Sequence, residues 1–313
     1  PGARNVRRLG ALLMIAALAA CGREKGPRTQ FSGETALGYV KTQLDFGPRI
    51  PGSEAHRRTG DWITAQMRQR ADTVIEQTWR HVTQSGDTLP MRNILARYKP
   101  KATERVLYVT HWDTRPISDG ARDSAQRALP VPGANDGASG VALFIALGDV
   151  LHQTPPNVGL DLLFVDGEDY GEFPNGGDLT DYKDVLIGSR YFAQHLPEQG
   201  YMPLYGILWD MIGDRDLQIF QEGNSLRRAP EVVNLVWNKA DDDLDYSKYF
   251  IPQPGQYIID DHVPLLDAGL HVIDVIDYDY PYHHTPQDTF DKVSAASLQV
   301  VGDLALSLVS GGR

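Results

Sequence analysis

The apolar positions of this chain fall into short unbroken runs separated by stretches with helical spacing. Leu162-Leu163-Phe164-Val165, Arg105 to Thr110 and Tyr205 to Trp209 are runs of apolar and β-forming residues. Strands buried on both faces have this character. Thr73 to Trp79, Arg92 to Tyr98 and His271 to Ile276 add further strands, by their clustering of β-formers. Between the strands, Gly33 to Arg70 suggests helix, turn and helix, with Phe46 to Ser53 as a Gly- and Pro-punctuated interruption. The second helix, from Glu54 to about Arg70, sets Trp62, Ile63 and Met67 at helical spacing as core positions. A helix opens from Gly133-Ala-Asn-Asp-Gly-Ala-Ser-Gly140 and runs to about His152, and helix resumes near Ser189. Pro230 to Lys239, Val263 to Ala268 and Ala295 to Val309 complete the helical set. Alternating strands and helices predict an α/β fold, a three-layer sandwich with a central mixed, mainly parallel sheet and helices on both faces.

The ends of the strands carry the chemistry. His111-Trp112-Asp113 ends one, Glu168-Asp169 follows a second, Asp210 ends a third, and His283-His284 lies in the loop 277–291 after a fourth. Asp136 stands in the turn entering a helix, where it serves either as a helix cap or as a ligand. In a parallel sheet such positions share one rim, so residues remote in sequence converge in one crevice. Gly171 to Lys183, rich in Gly and Asp, reads as an exposed loop bordering it.

Composition narrows that chemistry. The 313 residues are 42% hydrophobic and 23% charged, enough for one large core. Cys21 is the only cysteine, which excludes an intramolecular disulfide and a multi-thiolate metal site. Ligands must then be His, Asp or Glu, a set that suits a catalytic zinc with one coordination position open. A carboxylate close to the metal but off it can move protons, so one acid of the Glu168-Asp169 pair would bind metal and its neighbour would act as base.

The first twenty residues stand apart. Arg4, Arg7 and Arg8 precede an apolar run from Leu9 to Ala20, and Leu18-Ala-Ala-Cys21 resembles the lipobox of bacterial lipoproteins. The expectation is an export signal over residues 1–20, a polar tether over 21–32 and a single zinc-dependent catalytic domain over 33–313. A lipid on Cys21 would hold that domain at the cell envelope, on the periplasmic face. The formal charge is -11, and loss of residues 1–20, with three arginines and no acids, takes it to -14. Such a charge argues against nucleic acid as a partner.

In order along the chain, His111-x-Asp113, Gly133-Ala-Asn-Asp136-x-Ala-Ser-Gly140, Glu168-Asp169, Asp210 and His284 resemble the M28 family of zinc peptidases, which includes two-zinc aminopeptidases and glutaminyl cyclases. Phe46-Gly-Pro-Arg49, His111-Trp-Asp-Thr-Arg115, Gly188-Ser-Arg190, Trp209-Asp-Met-Ile-Gly213 and Asp260-Asp-His-Val-Pro264 look closer to the cyclases, the glutaminyl-peptide cyclotransferases, which are acyltransferases. The resemblance implies Asp136, Asp169 and His284 as zinc ligands and Glu168 as general acid/base. It implies a substrate-binding acid network at Asp210 and Asp260, with peptide or protein N-termini as substrates. In the aminopeptidases, the positions matching His111 and Asp210 complete a second metal site that the Asp136 position bridges, so the pattern admits one zinc or two. One departure is His283, where the cyclases usually carry Trp; another is the lack of an identifiable pocket Trp between the acid pair and Gly188. Asp113 reads as orienting His111, Asp260 and Asp261 as caps of the helix near Val263, and Trp112 and Trp209 as packing residues.

Overall fold

The structure is a computed structural model that describes Gly2, residues 30–173 and residues 183–310. Apart from Gly2, the expected export signal falls outside these residues, as do most of the tether and most of the Gly171 to Lys183 loop.

The chain begins with α1 (Gly33–Leu44), capped by Ser32, whose hydroxyl accepts from the Thr35 amide. A turn with left-handed Gly47 and Gly52 leads to α2 (Glu54–Arg68), capped in the same way by Ser53. Just before Gly33, Phe31 is buried, its ring lies where a Cβ on Gly302 would stand, and its carbonyl accepts from Gln299 Nε2. Phe31 and Ser32 thus belong to the domain rather than to a solvated tether, since a buried ring and a helix cap hold them.

Two strands follow, β1 (Thr73–Val82) and β2 (Thr88–Tyr98), then β3 (Arg105–His111), the short α3 (Ser124–Arg127), α4 (Ala138–Leu151) and β4 (Gly159–Val165). Next come α5 (Ile187–Gln194), β5 (Tyr205–Asp210), β6 (Ile219–Gln221), α6 (Gly223–Arg228) and α7 (Pro230–Asn238). The chain ends with β7 (Phe250–Pro254), α8 (His262–Asp267), β8 (Val272–Ile276) and α9 (Ala295–Ser310). The main sheet has the order β1-β2-β4-β3-β5-β8. Strands β4, β3, β5 and β8 are parallel, with β8 at one edge, and β1 and β2 add an antiparallel pair at the other. The pairing makes the sheet mixed and mainly parallel, as expected.

Strand side chains alternate between faces, and here both faces are apolar. Val106, Tyr108, Leu162, Phe164 and Trp209 face one layer with residues of α1, α4, α7 and α9. Leu107, Val109, Leu163, Val165 and Leu208 face the other, against Phe192 of α5 and Leu265 of α8. That double burial explains why β3 and β4 show no polar alternation. The elements that the sequence pattern missed are α3, β6, α6 and β7, of three to six residues each. Runs that short carry too few apolar repeats to show a period. Among the described residues, no helix is long and apolar enough to cross a membrane.

Candidate active site and metal centre

Because β3, β4, β5 and β8 are parallel, their carboxyl ends share one rim. His111 is the last residue of β3 and Asp210 the last of β5. Glu168 and Asp169 follow β4, while Asp136 lies in the turn before α4, the helix that joins β3 to β4. His111 Nε2 is 3.1 Å from Asp136 Oδ1 and 3.1 Å from Asp210 Oδ1, and its Nδ1 is 3.8 Å from Glu168 Oε2. His284 Nε2 is 3.2 Å from Asp169 Oδ1 and 3.8 Å from Asp136 Oδ2. Asp136 therefore sits between two imidazoles that are 173 positions apart in the sequence. The expected residues His111, Asp136, Glu168, Asp169, Asp210 and His284 are brought together.

The backbone turns that hold them have local causes. Gly137, at φ 85°, precedes α4 without any side-chain cap bond, so Asp136 does not cap the helix and its carboxylate turns to His111. Asn135 accepts from Gly213 N and donates to the Met211 carbonyl, which ties this turn to the segment after β5. Asp288 accepts from the amides of Asn135 and Asp136. Arg49 of the Phe46-Gly-Pro-Arg49 segment is fully buried and donates to the carbonyls of Trp112, Pro132, Gly133 and Asp136. It joins the two loops that carry Asp113 and Asp136.

The acid pair is set by two other carboxylates. Asp113 accepts from the amides of Glu168 and Asp169, each at 3.1 Å, and stands 3.7 Å from His111 Nδ1. Its main task is to orient the acid pair, a pairing over 55 positions that sequence adjacency to His111 conceals. Asp166 is bonded to His56 at 2.7 Å and accepts from Arg92 N, which fixes the end of β4. Between these anchors Gly167, at φ 69°, makes the turn that a side chain would disfavour.

Residues 93–309 match peptidase family M28. The chain belongs to this family. Over its length it is similar to the glutaminyl cyclase of Bacteroides thetaiotaomicron, solved with N-acetylhistamine bound, at 33% identity and TM-score 0.86, covering 92% of this chain and 100% of that one. It is also similar to a leucine aminopeptidase precursor from the same organism, with 33% identity, TM-score 0.86 and coverage of 92% and 99%. Among characterised sequences, the aminopeptidase YwaD of Bacillus subtilis is 25% identical over 91% of this chain, which spans 59% of that protein's length.

The donor set of this M28 enzyme fits a divalent cation. Asp136, His283 and His284 each bring a ligand atom to within 4.8 Å of one another, and so do His111, Asp136 and Asp210. Asp136 Oδ2, Asp169 Oδ2 and His111 Nδ1 are buried without a hydrogen-bond partner, and buried polar atoms without partners are rare. Burial, then the charge of Asp169, pushes the Glu168 carboxyl well above its usual range, against the pull of His111. Burial raises Asp169 too, against His284. On Asp136 burial also acts upward, but His111 and His284 outweigh it and hold it below the usual range. Burial works to lower the proton affinity of His284, yet Asp169 and Asp119 lift its pKa to about 10. Carboxylates crowded on imidazoles in this way present the negative field that a cation answers, and its binding would expel the imidazole protons.

Further residues at or near the M28 rim include some that the sequence suggested in another role and some that it did not single out. His283 lies against His284, ring centroids 3.9 Å apart and planes tilted by 50°, and belongs to one of the two ligand groups. Burial and the neighbouring His284 push it down to about 3, so it is neutral and free to donate a lone pair. The doubled His was its signal. Asp260 is buried, where burial and then Asp210 and Asp261 raise its carboxyl well above the usual range. Asp261 precedes α8 without a side-chain cap bond, and Asp260 accepts from the Asp261 amide, so the expected pair of helix caps is replaced by a buried acid cluster. His262, Glu222 and Asp274 extend the cluster, with His262 Nε2 3.2 Å from Glu222. Trp112 packs on His56, ring centroids 4.2 Å apart, and Trp209 packs edge-on to Tyr108.

Proposed function

We propose that this M28 enzyme cyclises the N-terminal glutamine of peptides or proteins to pyroglutamate with release of ammonia. The observation that carries this reading is the buried pair Asp210 and Asp260 beside the rim, where Asp210 helps to raise the Asp260 carboxyl and Asp260 in turn adds to the charges that raise Glu168. Likeness to a glutaminyl cyclase along that protein's whole solved chain supports it.

Asp136, Asp169 and His284 would hold one zinc, which when bound polarises the γ-carbonyl of the glutamine. The substrate's own α-amine attacks that carbon, so the nucleophile arrives already positioned in the same molecule. Glu168 takes a proton from the amine and delivers one to the leaving nitrogen; the ring C–N bond forms and the bond to the side-chain nitrogen breaks, releasing ammonia. A carboxyl whose proton affinity is raised by burial suits this exchange near neutral pH. Asp210 and Asp260, both buried, accept from the substrate's amine and amide.

Aminopeptidase action is the second reading, favoured by the group His111, Asp136 and Asp210, which offers a second cation position. There Glu168 would take its proton from water and the first peptide bond would break. Mass spectrometry of a glutamine-ended peptide separates the two. Cyclisation removes one ammonia and leaves the chain intact; liberation of free glutamine alone refutes the proposal. Glu168→Gln is expected to lower turnover by about 10²–10⁴-fold with zinc retained, and undiminished turnover would remove Glu168 from this role. The reading includes export and a lipid on Cys21, which metabolic labelling with a fatty acid tests against a Cys21→Ala chain.

A further inference from the structure

The loop after β3 contains a second set of contacts to the rim. Asp119 Oδ1 lies 3.4 Å from Nδ1 of His284, on the opposite side of the ring from Asp136 and Asp169. Gly120 donates its amide to the His284 carbonyl at 3.0 Å. A Cβ on Gly120 would stand 2.6 Å from the His283 carbonyl and 3.2 Å from the His284 Cβ, so the close approach needs glycine. His284 itself has φ 54°, a left-handed conformation uncommon outside glycine. Such a conformation persists where the surroundings over-determine it, and the Asp119-Gly120 pair supplies both a side-chain and a main-chain hold.

The same loop reaches the neighbouring acid. Arg115, fully buried, donates Nε and Nη2 to the two oxygens of Asp119 at 2.8 and 2.6 Å. Its Nη1 donates to Asp169 Oδ1 and to the Gly171 carbonyl, both at 2.8 Å. Arg115 thereby takes one oxygen of Asp169 and leaves Oδ2, which has no hydrogen-bond partner. Asp119 takes Nδ1 of His284 and leaves Nε2 pointing at Asp136 and Asp169. A carboxylate on the far nitrogen of a ligating histidine fixes its tautomer and raises its basicity.

We propose that Asp119 is a positioning residue that, through its bidentate bond to Arg115, sets the orientation of His284 and Asp169 together and so tunes the affinity of the site for zinc. This rests on the reading of His284 and Asp169 as ligands. Asp119 contributes no ligand atom and touches no reacting atom; it acts through the ring of His284.

The test measures zinc affinity of the full chain by competition with a chromogenic chelator, for the wild type, Asp119→Ala, Asp119→Asn and Asp123→Ala. Asp123 lies in the same loop and caps α3 by accepting from Ala125 N, without contact to His284. Asp119→Ala is expected to weaken zinc binding by about 10- to 100-fold. Asp119→Asn keeps an oxygen for the Nδ1 proton and should recover part of the loss. Asp123→Ala should bind as the wild type does. With Co²⁺ in place of zinc, the visible absorption bands should shift in Asp119→Ala and stay in place in Asp123→Ala. Wild-type affinity in Asp119→Ala overturns the proposal, as does an equal loss in Asp123→Ala, which would make the effect one of loop folding. Should Asp119→Ala fail to fold, Asp119→Asn decides: unchanged affinity and spectrum in it overturn the proposal. A wild-type chain that takes up no zinc overturns the reading of the site itself, a result distinct from zinc-binding wild type with an indifferent Asp119→Ala.

Discussion

Gly140, in the first turn of α4, offers a substitution for which helix propensity and packing predict opposite signs. Gly→Ala inside a helix stabilises by about 1 kcal/mol on propensity alone. In this structure a Cβ at Gly140 would stand 2.0 Å from Thr110 Oγ1 and 2.6 Å from the Trp209 carbonyl oxygen. The second atom is backbone of the central strand β5, so no rotamer change relieves the contact and α4 must move away from the sheet. Overpacking of this kind costs about 1–3 kcal/mol, and two contacts this short, one of them to backbone, place it near the upper end. Set against the propensity gain, Gly140→Ala should lose about 2 kcal/mol, a fall in Tm of roughly 3 °C for a chain of this size. Gly148→Ala, in the same helix, is the control. Its Cβ would meet Arg70 Cδ at 2.8 Å and Tyr98 OH at 3.1 Å, side-chain atoms that can shift, so it should stay within about 1 kcal/mol of the wild type. Thermal unfolding followed by circular dichroism, with chelator present so that metal affinity does not enter, measures both. A Gly140→Ala protein as stable as the wild type or more so would refute the close approach of α4 to β3 and β5.

Two further predictions concern buried acids. Asp113→Asn leaves one acceptor for two amides and turns an NH₂ group toward a backbone N–H, so about 2 kcal/mol of stability should be lost. Turnover should fall as the Glu168-Asp169 segment loosens, and a urea midpoint equal to the wild type's would contradict that anchor. Burial pushes Asp277 up to about 7; the folded state therefore binds its proton more tightly than the unfolded chain does. The wild type should lose stability as pH rises from about 4 to 7 on this account and no further above it. Asp277→Asn, which keeps an acceptor for the Gln218 amide, removes that loss, so its stability relative to the wild type should improve across the window by up to about 4 kcal/mol. Denaturant midpoints that move in parallel with pH for the two proteins would rule this out.

Much of the frame can be read from the chain. Leu162 to Val165 and Arg105 to Thr110 have no polar alternation, which is the mark of strands covered on both sides, and they occupy β4 and β3. Motif order placed His111, Asp136, Glu168, Asp169, Asp210 and His284 at strand ends or turns that parallel topology brings together. Less legible were β6 and β7, whose pairing depends on partners about thirty positions apart, and the extent of the domain before Gly33, where a single buried ring at Phe31 does the holding. The buried cluster of Glu222, His262 and Asp274 carries no spacing that separates it from surface acids and histidines.

Periodicity and strand-end position are local properties, because they follow from which side chains leave water along a segment; they determined the α/β layers and the set of residues at the rim. The choice of partner for each buried polar atom is not local. Asp113 turned from the adjacent His111 to amides 55 and 56 positions away, Arg49 found four carbonyls in two distant loops, and Arg115 and Asp119 joined His284 to Asp169. A buried donor or acceptor must be satisfied by whatever the fold brings within 3 Å or so. That requirement is met in three dimensions, and only the tertiary structure decided how the acids and histidines at the rim divide their bonds.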